Sequence, residues 1–525
     1  MSQSSKNRFS GTIFGAMMII SAPWQVLPCI GAMFCLLVAG CAVGPNFKRP
    51  EAPVVVDYTG RPLSTTVSST NAAGGGAQHF AVGGDIAGDW WTLFHSRPLN
   101  DLIELSLTNN PNLKAAQAAL LVARENVLAQ RGAYYPGVTG SFSASRTKQS
   151  EVLAPTPNYP LVPQEYQYNL FTPQVSVSYS PDVFGLNRRT MESVKAQEQG
   201  ARFQMIAAYT TLTANVVVTA IQSAAVQAQI EATRQLVDLN SNMVEILRYQ
   251  YTKGYAGRLD VVAQESQLAQ VNATLPPLLK QSAQLRDLLA VLAGRFPNQV
   301  PAEKFELSSL QLPVEIPVSL PSQLVAQRPD VLQAEANLHS ASAQVGIAIA
   351  NRLPNLTLTA DAGSTALSLD KVFSSGTGFW GLGAAAAAPL FQGGKLLHQE
   401  RAARAAFTQA AEQYRSTVLT AFQNVADTLT ALEQDAEGLK AAATAADDAQ
   451  ETLDLSQRQW QDGYISYLAW LSAEQAFQQA RLNLVQAQAS RYADTAALFQ
   501  ALGGGWWHRA DLTKNNDQHD DQHEK

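Results

Sequence analysis

The stretch PNLKAAQAALLVARENVLAQRGAYYPGVTGSFSA at residues 111–144 has a counterpart, PDVLQAEANLHSASAQVGIAIANRLPNLTLTADA, at residues 329–362. An ungapped shift of 218 residues pairs Pro111 with Pro329, Ala116 with Ala334, Leu120 with Leu338, Val127 with Val345, Pro136 with Pro354 and Thr139 with Thr357. Self-similarity at a fixed offset marks a repeated architecture. Within each copy the apolar period changes. A helical pattern runs to the proline, which stops it. Beyond Pro136, Val138, Phe142 and Ala144 then alternate with Thr139, Ser141, Ser143 and Ser145, the two-residue period of a strand with one polar face. Beyond Pro354, Leu356, Leu358, Ala360 and Ala362 alternate with Thr357, Thr359, Asp361 and Gly363.

Further along, a shift of 209 residues pairs Asn215 with Asn424, Gly254 with Gly463, Tyr255 with Tyr464, Leu259 with Leu468, Glu265 with Glu474 and Gly294 with Gly503. The chain is a tandem duplication, each copy reading helix, strand, strand, very long helix, helix. The first repeat covers residues 99–300, with strands near 138–146 and 171–180 and helices over 187–251 and 259–292. The second covers residues 325–505, with strands near 356–364 and 379–390 and helices over 395–460 and 468–502. The strand near 379–390 is the least distinct, because its run of five alanines suits a helix. Gly381, Gly383 and Pro389 argue against that reading. Residues 151–168 carry four prolines and read as a long loop.

The long helices contain no proline, and at 1.5 Å per residue each spans about 100 Å, more than a globular core. In the second, Leu429, Leu432, Ala436, Leu439, Ala443, Ala446 and Leu453 follow the 3,4 spacing of a coiled-coil seam. Strands of about ten residues with one apolar and one polar face match tilted membrane-spanning strands. After residue 41 the sequence shows no obvious helical membrane span. Four strands cannot close a barrel, and a barrel in lipid tolerates no free edge, so identical chains must join; three would supply twelve strands. A small sheet in a soluble periplasmic protein is the competing reading.

The N-terminus carries Lys6 and Arg8, then an uncharged apolar stretch to Cys41, which reads as an export signal over residues 1–40. A retained signal anchor is the alternative, weakened by Pro23, Pro28 and Gly31. Leu37-Val38-Ala39-Gly40-Cys41 resembles a bacterial lipobox, with cleavage before an acylated cysteine. Cys29 and Cys35 would leave with the signal, so Cys41 would have no disulfide partner within the chain. Its expected modification is a covalent diacylglycerol with an N-acyl chain, and no cofactor is expected. Charged residues are only 15% of the 525-residue chain and the formal charge is −6, so nucleic acid is not expected as a partner. Residues 41–98 read as a lipid-anchored extended segment, 301–324 as an equatorial linker and 506–525 as a partly disordered tail.

With these features in place the chain resembles the outer-membrane efflux ducts of the TolC and OprM type, especially the NodT-like lipoprotein branch. The matching residues are Cys41-Ala42-Val43-Gly44-Pro45-Asn46-Phe47-Lys48-Arg49-Pro50, Trp90-Trp91-Thr92-Leu93-Phe94, Arg328-Pro329-Asp330, Pro389-Leu390-Phe391-Gln392-Gly393-Gly394 and Ala501-Leu502-Gly503-Gly504-Gly505-Trp506. The resemblance implies an α+β membrane protein: a homotrimer forming a twelve-stranded outer-membrane β-barrel, four strands per chain, continued by a periplasmic α-helical coiled-coil barrel. It also implies as partners a periplasmic adaptor, an inner-membrane resistance-nodulation-division pump and the lipid of the outer membrane. The duct would conduct drugs or other small toxic compounds passively.

The turns between long and short helices are Lys253-Gly254-Tyr255-Ala256-Gly257-Arg258 and Asp462-Gly463-Tyr464-Ile465-Ser466-Tyr467. Gly254 and Gly463 read as helix C-caps, and Asp260 suits the start of the following helix. The resemblance adds a gate: Leu468 at the position of an apolar constriction, Trp460 at that of a latch tyrosine, and Asp260 at that of a latch aspartate. Ala469 and Ser472 stand where pore-lining aspartates are usual, with Asp462 as a substitute carboxylate. Arg258 and Arg248 are candidates to pair with Asp260 or Glu245. No catalytic motif or metal cluster is expected; the acidic, histidine-containing tail from His519 to Glu524 reads as solvated. The remaining readings are a TolC-like protein-secretion exit and a lipid-anchored periplasmic coiled-coil adaptor or structural protein.

Overall fold

A computed structural model describes residues 42–69, 72–149, 166–299 and 305–513 of the chain. The expected signal peptide, Cys41, most of the loop at 151–168 and the histidine-containing tail lie outside the described residues. In chain order the elements are β1 (His79–Val82), α1 (Arg97–Asn109), α2 (Pro111–Arg131), β2 (Gly137–Gln149), β3 (Tyr166–Tyr179), α3 (Leu186–Thr252) and α4 (Arg258–Leu292). There follow β4 (Glu315–Val318), α5 (Pro321–Gln327), α6 (Pro329–Ala350), β5 (Asn355–Ser364), β6 (Gly378–Ala387), α7 (Lys395–Gln461), α8 (Tyr467–Ala501) and α9 (Ala510–Thr513). The duplication is repeated in the element lengths: α3 and α7 each have 67 residues, and α4 and α8 each have 35.

The chain divides into two compact units. The first comprises the described residues of Met1–Val43, Pro136–Arg188 and Ala350–Leu390. It is an antiparallel sheet in the order β2-β3-β5-β6, so one hairpin from each repeat meets at the β3–β5 seam. The first hairpin is longer than the sequence pattern indicates, since β2 and β3 pair in unbroken register from Gly137↔Ser178 to Gln149↔Tyr166. The alanine-rich run is strand, with Asn355 opposite Ala387 and Leu358 opposite Ala384. Its glycines and its cross-strand partner outweigh the helical propensity of alanine.

The two faces of this sheet differ in chemistry. On one, Val138, Phe142, Val175, Leu358, Trp380 and Leu382 are exposed large apolar side chains. On the other, the register aligns Thr139, Ser176, Asp361 and Gly381 in one row and Gly137, Ser178, Thr359 and Gly383 in the next. Strands β2 and β6 each have a single neighbour in the sheet.

The second unit comprises Gly44–Tyr135, Arg189–Ile349 and the described part of Phe391–Lys525. Its main core gathers Trp90, Phe94, Leu99 and Ile103 with Ile206, Tyr492 and Phe499. Trp90 stacks on Phe499 with ring centroids 5.2 Å apart, and Trp506 packs edge-on against Phe203. The paired tryptophans therefore pack within this unit. The Arg328-Pro329-Asp330 motif is a helix-end lock: the nearly buried Arg328 donates from Nε and Nη2 to Asp330 at 3.0 and 2.6 Å and from Nη1 to the carbonyl of Ala501 at 3.0 Å. A guanidinium at the last carbonyls of α8 also opposes the negative end of that helix.

Three local features add to what the sequence indicates. Residues 41–98 and 301–324 are not merely extended and linking: β1 and β4 pair in parallel, His79 to Glu315 through Val82 to Val318. Strands of four residues are too short for alternation to reveal, and only a partner distant in sequence gives them hydrogen bonds. Trp506–His508 and α9 are ordered, with Arg202 Nη2 donating to the carbonyls of Leu512 and Thr513 at 3.1 and 3.0 Å. And α3 does contain an 18-residue window of mean hydropathy 1.3, although 67% of that window is buried within the protein, as in a core helix.

Candidate gate at the helical turns

Both turns close as their glycines indicate. Gly254 and Gly463 each have φ +79°, a conformation glycine adopts without a Cβ penalty, and the two turns present Tyr255 and Tyr464 at 84% and 80% exposure. Asp260 Oδ2 accepts the Gly257 backbone N–H at 3.0 Å, satisfying a donor at the start of α4. Asp462 is the exposed C-cap of α7, and its N–H donates to the carbonyl of Arg458. Arg258 is exposed at the first position of α4 and has no ion-pair partner among the described residues.

The expected ion pairs are replaced by another. Arg248 donates to Glu265 Oε1 from Nε at 2.9 Å and from Nη2 at 2.6 Å, bridging α3 and α4. It pairs with neither Asp260, which caps, nor Glu245. Both partners are substantially exposed, so the pair contributes under about 1 kcal/mol.

Helix α8 begins with two contrasting faces. Leu468, Ala469 and Ser472 are exposed, Leu468 at 49%, with Ser472 Oγ donating to the carbonyl of Leu468 at 3.0 Å. Tyr467, Trp470, Leu471 and Glu474 are buried on the other side. There a second, smaller core joins both helical hairpins: Met243 and Leu247 of α3, Val261 of α4, Leu453 of α7, and Tyr467, Trp470 and Leu471 of α8. Trp460 belongs to its margin, stacked on Trp470 at 5.7 Å and edge-on to Tyr467 at 6.1 Å. Burial pushes the Tyr467 hydroxyl up, helped by the negative charges of Glu474 and Asp260. Asp260 and Trp460 thus approach the same aromatic ring by different routes, without bonding each other.

Sequence reading missed the polar cluster above this core. Glu474 has no exposed surface; its Oε1 accepts from Asn240 Nδ2 of α3 at 2.6 Å and from Gln478 Nε2 at 3.1 Å. Gln264 Nε2 of α4 donates to Asn240 Oδ1 at 2.8 Å. A signal was available in the repeat. Glu265 and Glu474 are equivalent, but the residue equivalent to the Arg248 partner of Glu265 is Gln457, so the second glutamate has no matching cation.

A sheet with one apolar and one polar face, joined in sequence to paired helical hairpins, defines an outer-membrane channel fold. The chain belongs to the outer membrane efflux protein family, whose pattern matches residues 102–295 and 320–504. The probable efflux pump outer membrane protein TtgC of Pseudomonas putida is 28% identical over 481 residues, 91% of this chain and 95% of that protein. The outer-membrane channel OprN superposes with a TM-score of 0.78 at 24% identity, covering 89% of this chain and all of the other. The Campylobacter jejuni CmeC outer membrane channel gives 0.80 at 22% identity, covering 90% and 97%. The family is one of outer-membrane channel proteins of efflux systems, not of enzymes.

Proposed function

We propose that three copies of this chain close a twelve-stranded barrel and form a gated, passive exit duct. It would receive drugs or other small toxic compounds from an inner-membrane pump of the resistance-nodulation-division class through a periplasmic adaptor. The observation that carries this is the four-stranded sheet: its apolar face is exposed, its other face is polar, and β2 and β6 each lack a second neighbour among the described residues. In lipid the apolar face turns outward, the polar face lines water, and β2 of one copy pairs with β6 of the next. A coiled-coil adaptor has no use for such a sheet.

The gate is the pair of helical turns, with Leu468 as the apolar ring, Tyr255, Tyr464 and Asp462 around it, and Trp460 and Asp260 holding the hairpins behind it. The absence of carboxylates at Ala469 and Ser472 leaves this ring uncharged. Removal of residues 1–40 and acylation of Cys41 as a lipoprotein would anchor each chain. What supports the anchor is the next residue: Ala42 lies against Gly185, just past β3, so close that a Cβ there would come within 2.6 Å of its Cα, and the Val43 N–H donates to the carbonyl of Phe184 at 3.1 Å. Ala42 is thereby held against the segment that joins β3 to α3. The test is a cysteine at Asn158 in the loop between the first two strands, probed on intact cells with a membrane-impermeant thiol reagent. Labelling supports the duct; protection until the outer membrane is broken refutes it.

A further inference from the structure

We propose that Glu474 is a positioning residue of the gate: it stays protonated while the channel rests closed, and its neutral carboxyl fastens the second helical hairpin to the first. This rests on the duct reading above for its consequence, but not for its chemistry.

The geometry begins with burial. A carboxylate taken out of water needs a cation or several donors, and an unpaired charge in such a place costs several kcal/mol. Glu474 has neither in full. Asn240 and Gln478 both donate to Oε1, whereas Oε2 is buried without a partner. Gln264 Oε1, in the same cluster, is likewise buried and unpartnered. Asn240 Nδ2 is shared with the carbonyl of Leu236 at 2.8 Å, so it has no further donor to spend on Oε2. Among Asn240, Gln264, Glu474 and Gln478 themselves, the two acceptors Glu474 Oε2 and Gln264 Oε1 are thus left without a donor, while the nearby Tyr467 hydroxyl and Trp470 Nε1 are also buried without partners. A proton on Oε2 removes the charge and supplies the missing donor.

The surroundings leave the carboxyl without electrostatic help. From α3 the facing group is the neutral Asn240, and from α4 the neutral Gln264. On α8 itself the titratable neighbour is Tyr467, whose hydroxyl is buried and unpartnered and which also feels Asp260. Arg248 is committed to Glu265 on an exposed face. Burial accordingly raises the Glu474 carboxyl above the ordinary range, with the Asn240 and Gln478 bonds opposing it.

The bond from Asn240 to Glu474 crosses from the first repeat to the second. Gln475 Nε2 to Gln267 Oε1 at 2.8 Å and Arg481 Nη1 to Gln235 Oε1 at 3.1 Å cross at neighbouring levels. Of the three, only the joint at Glu474 is fully buried, on the packed side of α8, whereas Leu468 is exposed. Because the folded-state pKa is raised, the stabilisation from this joint is complete at low pH and is lost as pH rises through the elevated value. Ionisation separates the hairpins there and frees Leu468 from its closed position.

The experiment compares full-length wild type with Glu474→Gln, which keeps the shape and cannot ionise, between about pH 5 and about pH 9, the range spanning carboxyl shifts of a buried site. Two quantities are read: the melting temperature of the detergent-solubilised protein and the conductance in planar lipid bilayers. Asp435 is also raised, by burial and its neighbour Asp494, but is present in both proteins, so the difference isolates Glu474. Wild type should lose melting temperature toward high pH more steeply than E474Q, and its conductance should rise several-fold while that of E474Q stays level. Parallel melting profiles overturn the proposal. If wild type conducts at no pH, the duct reading has failed and the joint is judged on melting alone. Should E474Q not fold, infrared difference spectra of wild type between the two pH limits decide: loss of a protonated-carboxyl carbonyl band larger than Asp494→Asn can account for supports the joint, and its absence refutes it.

Discussion

Replacing Leu468 by serine tests whether an apolar ring holds the duct shut. In one chain Leu468 keeps 49% of its surface in water, on the side of α8 facing away from the small core, so the substitution removes little intrachain packing. Moving a whole leucine side chain out of water is worth about 1.5–3 kcal/mol, so the exposed half offers about 1 kcal/mol when three copies meet. A ring of three then contributes about 3 kcal/mol to the closed state, and serine contributes almost none of it. At about 1.4 kcal/mol per tenfold, the closed-to-open ratio falls by about 100-fold. Single-channel recording in planar bilayers reads this directly, and uptake of vancomycin by intact cells reads it indirectly. Conductance within about twofold of wild type, from protein shown to have inserted, would refute the apolar gate, because no ratio near 100-fold could hide in such a result.

Other consequences follow from the same geometry. Gly463→Ala places a side chain at φ +79° where its Cβ meets open space, so the cost is backbone strain alone, about 1–2 kcal/mol; tryptic cleavage after Arg458 should quicken about tenfold, and Gly463→Asn should restore most of the protection. Asp435 is pushed up to about 7 by burial and then by its neighbour Asp494, against the opposing charge of Arg491. A raised pKa means the stabilisation is present at low pH and lost as pH climbs through about 7, so Asp494→Asn should flatten the melting temperature across neutral pH; an unchanged slope would contradict this. Asp361 is the one carboxylate on the polar face of the sheet among the described residues, so Asp361→Asn should reduce cation preference in reversal-potential measurements at low salt, where screening is weak.

What the sequence made legible was whatever repeated or kept a period over many residues. The duplicated stretch at 111–144 and 329–362 exposed the repeat, unbroken runs without proline exposed α3 and α7, and alternation exposed β2 and β5. Features resting on a single distant contact were hidden. The β1–β4 pairing joins two four-residue strands, and neither HFAV nor EIPV is long enough to declare a period. The turn glycines and Asp260 were readable because capping is local chemistry. Glu474 was not, because a glutamate on a long helix usually meets water, and only the packing of α3 and α4 against α8 removes that water. The partner of Arg248 was misjudged for a related reason: Glu265 lies across the turn, beyond the nearer carboxylates that the sequence offers first.

A duct requires the sheet to be one third of a barrel. The direct measurement is the subunit number of the full-length protein, by native mass spectrometry from detergent, with each chain contributing at most 56.5 kDa before processing. Three chains per particle, conducting when fused to a planar bilayer, is the predicted result; a stable single chain that passes no current would contradict it.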